Sequence, residues 1–167
     1  EVNEAAYLEM IRLKTSVLLG CALQMGGIVG GANQKDAQLL YEFGEHLGLA
    51  FQIQDDILDL FGESAQVGKQ IGGDVLANKK TLLSISAKRA ASPEQLAELE
   101  EIENTSDPQL KVERTQKIYT ELGARAYCEA QMEFHHNKAL NALENIELPN
   151  SKAELVELAN FLFTRAY

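Results

Sequence analysis

Three aspartates stand in one short segment of the sequence, Asp55-Asp56-Ile57-Leu58-Asp59. If this segment is helical, a rotation of about 100° per residue places the three carboxylates within an arc of about 100°, and Gln52 projects from the same arc. No lysine or arginine occurs between Lys35 and Lys69, so no neighbour along the helix can neutralise these carboxylates. Their mutual repulsion is expected to raise their pKa values unless a cation approaches.

Two kinds of cation would satisfy the cluster. Oxygen donors without histidine or cysteine favour a hard ion, Mg²⁺ before zinc or copper, and Mg²⁺ commonly bridges carboxylates to a substrate phosphate. The spacing therefore predicts metal ligation by Asp55, Asp56 and Asp59. The alternative, which the spacing leaves open, is that the same carboxylates form salt bridges with lysines or arginines of another helix.

A glycine-rich loop that carries lysines follows, over about residues 62–78. Glycines allow the backbone to approach a ligand closely, and Lys69 with Lys79 or Lys80 would supply positive charge against an acidic background. The loop is not a Walker loop, because Gln70 follows Lys69. A solvated loop with scattered lysines is the other interpretation.

Lys14, followed by Thr15, is the third candidate. The residues three and four positions from Lys14 are all apolar, so its ammonium requires an anionic partner, either carboxylate or phosphate. The alternative is a lysine at the edge of a helix whose ammonium extends into water.

Two further groups of titratable residues carry weaker patterns. Glu129, Glu133 and His136 include one Glu-x-x-His step, but carboxylate-bridged metal bundles need a second step that the sequence lacks. A solvated helix face accounts for them better. The same interpretation applies to His46, which follows Glu42 and Glu45.

The elements that would position these residues are helices. The sequence has only 3 prolines, and apolar residues recur at helical spacing along most of it. We therefore predict an all-α fold, a bundle of long helices. The predicted helices run from about Asn3 to the glycines at 26–31, from Asn33 to Phe61, from Lys79 to about Ala91, from Ser92 onward, from Asp107 to about Asn145, and from Ser151 to Tyr167.

Composition limits the possible functions. The chain has 167 residues, 46% hydrophobic and 24% charged, with a net charge of −10, which favours a soluble globular protein and disfavours binding to nucleic acid or anionic membranes. Cys21 and Cys128 lie too far apart in sequence for a Cys-x-x-Cys motif, so a reducing, cytoplasmic location is expected. Residues 15–34 are uncharged, but five glycines dilute this stretch, and we expect no stable membrane insertion.

Together these segments resemble motifs of the trans-prenyltransferases, the all-α polyprenyl diphosphate synthases of isoprenoid biosynthesis. Phe51-Gln-Ile-Gln-Asp-Asp-Ile-Leu-Asp59 resembles the second aspartate-rich motif of that family, and Leu13-Lys14-Thr15 resembles its upstream Lys-Thr motif. Three downstream elements also match in order and spacing: Gly68-Lys69, Gly72-x-Asp74 and Lys79-x-Thr81.

The resemblance implies an isoprenoid-synthase-type helical bundle that condenses an allylic diphosphate with isopentenyl diphosphate, depends on Mg²⁺ and forms a homodimer. It implies direct metal contact by Asp55, contact with the metal or its waters by Asp56 and Asp59, and orientation of those waters or of Lys69 by Asp74. It implies that Lys14, Lys69 and Lys79 contact the diphosphate of the allylic substrate. Thr15 and Gln52 would direct their oxygen dipoles towards the carbocation, and Phe51 would form part of an apolar wall around it.

One departure from the family pattern is large. Family members carry two aspartate-rich motifs, and no second Asp-Asp-x-x-Asp occurs in this sequence. Residues 1–167 thus resemble the C-terminal part of a single polyprenyl synthase domain, and we expect a fragment, inactive alone, with bare apolar faces at Phe51 and Ile57. The alternatives are a truncated paralogue, a non-catalytic helical partner subunit with a vestigial Mg-diphosphate site, and a class I terpene cyclase. The Lys-Thr and Gly-Lys matches favour the synthase.

Overall fold

The computed structural model describes residues 2–62, 71–147 and 152–164, and its regular structure over these ranges is helical. This confirms the predicted all-α class. The helices are α1 (Glu4–Ile11), a π-helical turn (Arg12–Ser16), α2 (Val17–Val29), α3 (Gln34–Phe61), α4 (Gly73–Leu76), α5 (Leu82–Ala90), α6 (Pro93–Glu103), α7 (Pro108–Glu121), α8 (Ala124–Glu144) and α9 (Lys152–Phe163).

Three helix starts that depend on a capping side chain lie where the sequence predicts them. Asn33 accepts the backbone N–H of Asp36 on Oδ1 at 2.9 Å, just before α3. Ser92 and Gln95 form the predicted capping box of α6. Asp107 caps α7 by accepting backbone N–H groups of its first turn. Such caps depend on residues three positions apart, so they can be identified from sequence.

Three predicted helices have different bounds in the structure. The first ends at Val29, just before the second of the two glycine pairs predicted to end it, but a π-helical turn interrupts it at Arg12–Ser16. The third begins after Thr81, whose capping box with Ser84 leaves Lys79 outside the helix. The long helix predicted from Asp107 is two helices, because Gly123 adopts a φ of +71° between them. The predicted cap at Ser151 lies outside the described residues.

The chain divides into two units, and α1, α3 and α8 contribute residues to both. The first unit comprises residues 2–7 and 53–130, apart from the undescribed loop. Its core is made of aliphatic side chains from the end of α3 and from α5 to α7: Ile57, Leu60, Leu82, Leu83, Leu99, Ile102 and Ile118. Burial of this apolar surface holds the aspartate-bearing end of α3 within the first unit.

The second unit comprises residues 8–52 and the described residues from 131 to 164. Its core joins α3 to α8 and α9 through Leu40, Phe43, Leu47, Ala139, Ala142, Leu143, Ile146 and Ala159. In this unit α2 also packs against α3 at very short range. A Cβ built on Gly44 would lie 2.8 Å from the backbone nitrogen of Gly20, so only glycine permits this approach.

Helix α2 presents a large exposed apolar surface. Leu18, Met25 and Val29 are 73%, 61% and 89% exposed. The sequence had instead suggested bare faces at Phe51 and Ile57. That expectation is wrong for Ile57, which is 0% exposed in the core of the first unit, while Phe51 is half-buried. Within the described part of the chain, no helix is both long enough and apolar enough to cross a membrane.

Candidate active site

Asp56 is held by two hydrogen-bond donors within the first unit. Its Oδ2 accepts the phenolic O–H of Tyr7 on α1, and the backbone N–H of Leu82 at 3.4 Å. The pKa of the Asp56 carboxyl is raised to about 6, chiefly by burial and to a smaller extent by the charges of Asp74 and Asp55, while the two hydrogen bonds act to lower it. The pKa rise expected from the clustered aspartates is therefore present at this residue, with burial as its main cause.

Asp59 holds the end of the glycine-rich loop. Its backbone carbonyl accepts the N–H of Gly72 at 2.6 Å, and its Oδ2 accepts the N–H of Asp74 at 2.9 Å. Gly72 adopts a φ of +76°, and a Cβ at this position would lie 2.5 Å from a methyl carbon of Val112. Glycine is required here for both reasons, and the turn brings Asp74 next to Asp59.

Lys79 donates a hydrogen bond from Nζ to Oδ1 of Asp74 at 2.5 Å. This bond raises the pKa of Lys79, and the more distant charges of Asp59 and Asp56 add to the effect. The first unit thus contains all four predicted carboxylates, Asp55, Asp56, Asp59 and Asp74, and hydrogen bonds join Asp59, Asp74 and Lys79 within it. Lys69, which the sequence assigns to the same site, lies outside the described residues.

Lys14 and Thr15 belong to the second unit, where they lie in the π-helical turn Arg12–Ser16. Lys14 is exposed and Thr15 is half-buried. Ser16 is fully buried, and its Oγ finds no hydrogen-bond partner in the described part of the chain. A Cβ on Gly48 of α3 would lie 2.7 Å from that Oγ, so α3 fixes the turn from one side. Single π-helical turns occur frequently at functional sites.

Two of the remaining predicted residues, Phe51 and Gln52, lie on α3 within the second unit, and both are half-buried. The solvated face expected around the Glu-x-x-His step is only partly present. Glu133 is exposed, but His136 is 6% exposed and stacks on Phe163 with ring centroids 4.1 Å apart.

The donor set of the first unit fits a hard cation that completes its shell with other ligands. Asp55 and Asp59 lie one helical turn apart on α3 and offer only oxygen. Over the described ranges, no three carboxylate, imidazole or thiolate groups converge closely enough to enclose a metal ion. These residues could therefore hold Mg²⁺ together with water and phosphate oxygens, but could not form a cage around it alone.

The sequence did not reveal Tyr7 or the Leu82 amide as partners of Asp56. Tyr7 lies 49 residues from Asp56, and a tyrosine in a predicted helix carries no sign of its partner. Its pKa is raised strongly, by burial first and then by the Asp56 charge, so the phenol remains a donor.

Comparison with known proteins identifies the family. The sequence profile of the family described as Polyprenyl synthetase matches residues 1–122. The short chain isoprenyl diphosphate synthase of Methanothermobacter thermautotrophicus is 33% identical over 167 residues, which is 100% of this chain and 51% of that protein. The chain belongs to the polyprenyl synthetase family.

Solved structures agree with this assignment. The geranylgeranyl pyrophosphate synthetase of Pyrococcus horikoshii superposes with a TM-score of 0.90 at 29% identity, over 99% of this chain and 50% of that one. A polyprenyl synthase of Caulobacter crescentus, solved in complex with calcium and isoprenyl diphosphate, gives 0.86 at 30% identity over 99% and 51%. This chain spans about half the length of the relatives it matches.

Proposed function

We propose that the protein containing this chain is a Mg²⁺-dependent polyprenyl diphosphate synthase, which condenses an allylic diphosphate with isopentenyl diphosphate. The observation that carries the proposal is the arrangement in the first unit, where Asp59 of α3 accepts the backbone N–H groups of Gly72 and Asp74, and Asp74 accepts a hydrogen bond from Lys79. These residues belong to segments that resemble the family motifs. Membership of the family and the calcium and isoprenyl diphosphate complex of a relative support it.

The proposed reaction begins with ionisation of the allylic diphosphate, which concentrates negative charge on the leaving group. Bound Mg²⁺ would supply Lewis-acid stabilisation of that charge. Asp55 and Asp59 would hold the metal, and Lys79, already placed by Asp74, would donate to a diphosphate oxygen. Asp56 would hold waters of the metal and, through its bond to Tyr7, fix α1 against α3.

The other predicted residues would act on the two ends of the allylic substrate. Lys14 and Lys69 would donate to the diphosphate. Thr15 and Gln52 would direct oxygen dipoles towards the allylic cation, and Phe51 would keep water from trapping it before isopentenyl diphosphate attacks and a proton is lost. We place the protein in the cytoplasm as a homodimer.

We further propose that residues 1–167 form the C-terminal part of one synthase domain, and that they do not turn over substrate alone. The coverage of about half of each relative supports this, as does the single aspartate-rich motif in the sequence. If the metal contacts of the other aspartate-rich motif supply ~7 kcal/mol of transition-state stabilisation, their loss lowers the rate by about five orders of magnitude. Turnover by the 167-residue chain comparable to that of a complete relative would contradict this proposal.

The decisive experiment is Asp55→Asn in the full-length protein, assayed with both diphosphate substrates and Mg²⁺. We expect kcat to fall by about 10²–10⁴-fold with an unchanged circular dichroism spectrum, because the variant loses a metal contact used in ionisation. Glu100→Gln, at an exposed acid on α6, is the control and should leave kcat unchanged. If Asp55→Asn unfolded the protein, or left kcat intact, the aspartates would have a structural role.

Binding provides a second test of the same proposal. Inorganic diphosphate and Mg²⁺ should bind together and bind poorly apart, because carboxylates and phosphate oxygens complete each other's metal shell. Isothermal titration calorimetry with and without EDTA measures this coupling. Diphosphate affinity that is unchanged by EDTA would favour a metal-free anion site.

A further inference from the structure

A buried lysine lies directly behind the turn that presents Lys79. Lys111, on α7, is only 5% exposed, and its Nζ donates to Oδ1 of Asn78 and to the backbone carbonyl of Glu103, each at 2.8 Å. The carboxylate of Glu103 contacts Lys88 instead, at 2.8 Å. Lys111 therefore donates its hydrogen bonds to two neutral oxygens. Its charge acts on the Glu103 carboxylate only without a hydrogen bond, where against the effect of burial it joins Lys88 and Lys80 in lowering the pKa of that carboxyl.

Asn78 occupies a special backbone position. Its φ of +50° makes it the one non-glycine residue with positive φ among the described residues. It ends α4 with the two bonds of a Schellman motif, from Asn78 N–H to Val75 C=O at 3.0 Å and from Lys79 N–H to Asp74 C=O at 2.9 Å. The second bond places Lys79 beside Asp74, although five positions separate them.

Attraction to the Glu103 carboxylate is not the main interaction of Lys111, because the hydrogen bonds of its ammonium go to other oxygens. An apolar side chain of similar volume would avoid the cost of burying an ammonium, but would leave the Asn78 side chain without its donor. The ammonium of Lys111 donates a hydrogen bond to the side chain of Asn78. The backbone conformation of Asn78 in turn sets the direction in which the chain continues to Lys79. Asparagine tolerates this conformation better than other residues with a Cβ, and its amide oxygen gives Lys111 an acceptor.

We propose that Lys111 is a positioning residue of the diphosphate site: through Asn78 it fixes the turn that holds Lys79 against Asp74. This inference rests on the proposed function, because it names the support of a lysine assigned there to the substrate diphosphate. Lys111 itself touches no substrate, and its effect passes entirely through the turn.

The test uses the full-length protein and measures the affinity for inorganic diphosphate in MgCl₂ by calorimetry, well below the melting temperature of every variant. Lys111→Met should weaken binding about tenfold, since loss of a charged hydrogen bond frees the turn. Asn78→Asp keeps an acceptor for the ammonium and should stay within about twofold of wild type. Asn78→Gly keeps the conformation but loses the acceptor, and should resemble Lys111→Met.

A stability control separates positioning from general weakening. Ile118→Ala creates a cavity on the same helix and unit, at a residue that is 2% exposed. It should lower the melting temperature and leave diphosphate affinity unchanged. Hydrogen exchange of residues 74–79 is measured in parallel, and should accelerate in Lys111→Met more than in Ile118→Ala.

The results separate failure of the positioning role from failure of the proposed function. Wild-type affinity in folded Lys111→Met would overturn the inference and leave the proposed function standing, as would an equal loss of affinity in Ile118→Ala. If wild type bound no diphosphate, the proposed function would fail, and with it the positioning role. The exchange data would then show separately whether Lys111 fixes the turn.

Discussion

At the scale of single residues, the surroundings of Asp56 change both its pKa and its contribution to stability. Tyr7 donates to a half-buried carboxylate whose pKa is raised to about 6. Withdrawal of its charge from water therefore opposes folding above that pH. That cost is relieved as the pH falls below 6, because the folded state takes up the proton more readily than the unfolded state. The hydrogen bond from Tyr7 lowers the cost while the carboxylate is charged.

We therefore expect Tyr7→Phe to destabilise the protein by about 1–3 kcal/mol at pH 8 and by less at pH 5. Urea unfolding at both pH values measures the difference. Tyr119→Phe, at another buried tyrosine of the same unit, is the control, and its effect should not change between these pH values. A pH-independent loss in Tyr7→Phe would show that Asp56 does not titrate in this range.

A histidine pair in the second unit should give a pH dependence of the opposite sign. The Nδ1 atoms of His46 and His135 lie 3.0 Å apart, so one ring donates and the other accepts. Burial, with the charge of His46, lowers the pKa of His135 from 6.5 to about 4. The stability associated with neutral His135 is present above pH 6.5 and is lost as the pH falls towards 4, because the unfolded state binds the proton first.

Removing His135 should remove this loss. We expect the melting temperature of His135→Gln to fall less than that of wild type between pH 7 and pH 4.5, as measured by circular dichroism. Titratable groups far from His135, such as Asp56, shift the melting temperature of both proteins equally, so the difference between the two melting temperatures reports on the histidine pair. Parallel melting curves for the two proteins across this range would contradict the assigned shift.

At the scale of the elements, the contact between α2 and α3 depends on glycine. A Cβ at Gly44 would meet backbone atoms of Leu19 and Gly20 at 2.8 Å, whereas a Cβ at Gly26 would meet nothing within 4 Å. The backbone contact between the two helices lies at Gly20 and Gly44, whereas a Cβ at Gly27 would meet the side chains of Leu40 and Ala32.

These two glycines make a matched pair of substitutions. Gly44→Ala should destabilise by about 1–3 kcal/mol, because the helices must separate to admit a methyl group. Gly26→Ala should be stabilising by about 0.5–1 kcal/mol, because alanine favours a helix interior. Chemical denaturation of both variants measures the contrast. Equal effects would show that α2 and α3 do not approach as closely as described.

At the scale of the whole molecule, α2 carries more exposed large hydrophobic side chains than any other helix of the described residues. Exposed side chains such as Leu18, Met25 and Val29 form a patch of the kind that other helices or other chains cover. We expect the 167-residue chain alone to self-associate as its concentration rises. Sedimentation velocity measures this, and Leu18→Gln with Met25→Gln should reduce it.

Leu110→Gln is the control for that experiment, because Leu110 is also exposed but lies on α7, outside the α2 patch. It should leave self-association unchanged. A wild-type chain that remained monomeric at high concentration would show that the α2 surface is stable in water. Equal effects of the α2 and α7 variants would show that association is not specific to α2.

The sequence by itself determined the helical class, the caps at Asn33 and Ser92, the aspartate motif and the family. These features depend on residue types a few positions apart, where helical geometry fixes the distances. It could not determine the π-helical interruption of the first helix, the start of the third helix or the break at Gly123, because local backbone conformation decided them.

Only the tertiary structure decided which side chains act on those motifs. It joined Tyr7 to Asp56 across 49 residues, Lys111 to Asn78 across 33, and Gly44 to Gly20 at backbone range. The sequence indicates that the clustered aspartates and Lys14 need partners of opposite charge, but not which residues lie next to them. Contacts between distant residues are set by how the helices pack, and spacing along the chain carries no information about that distance.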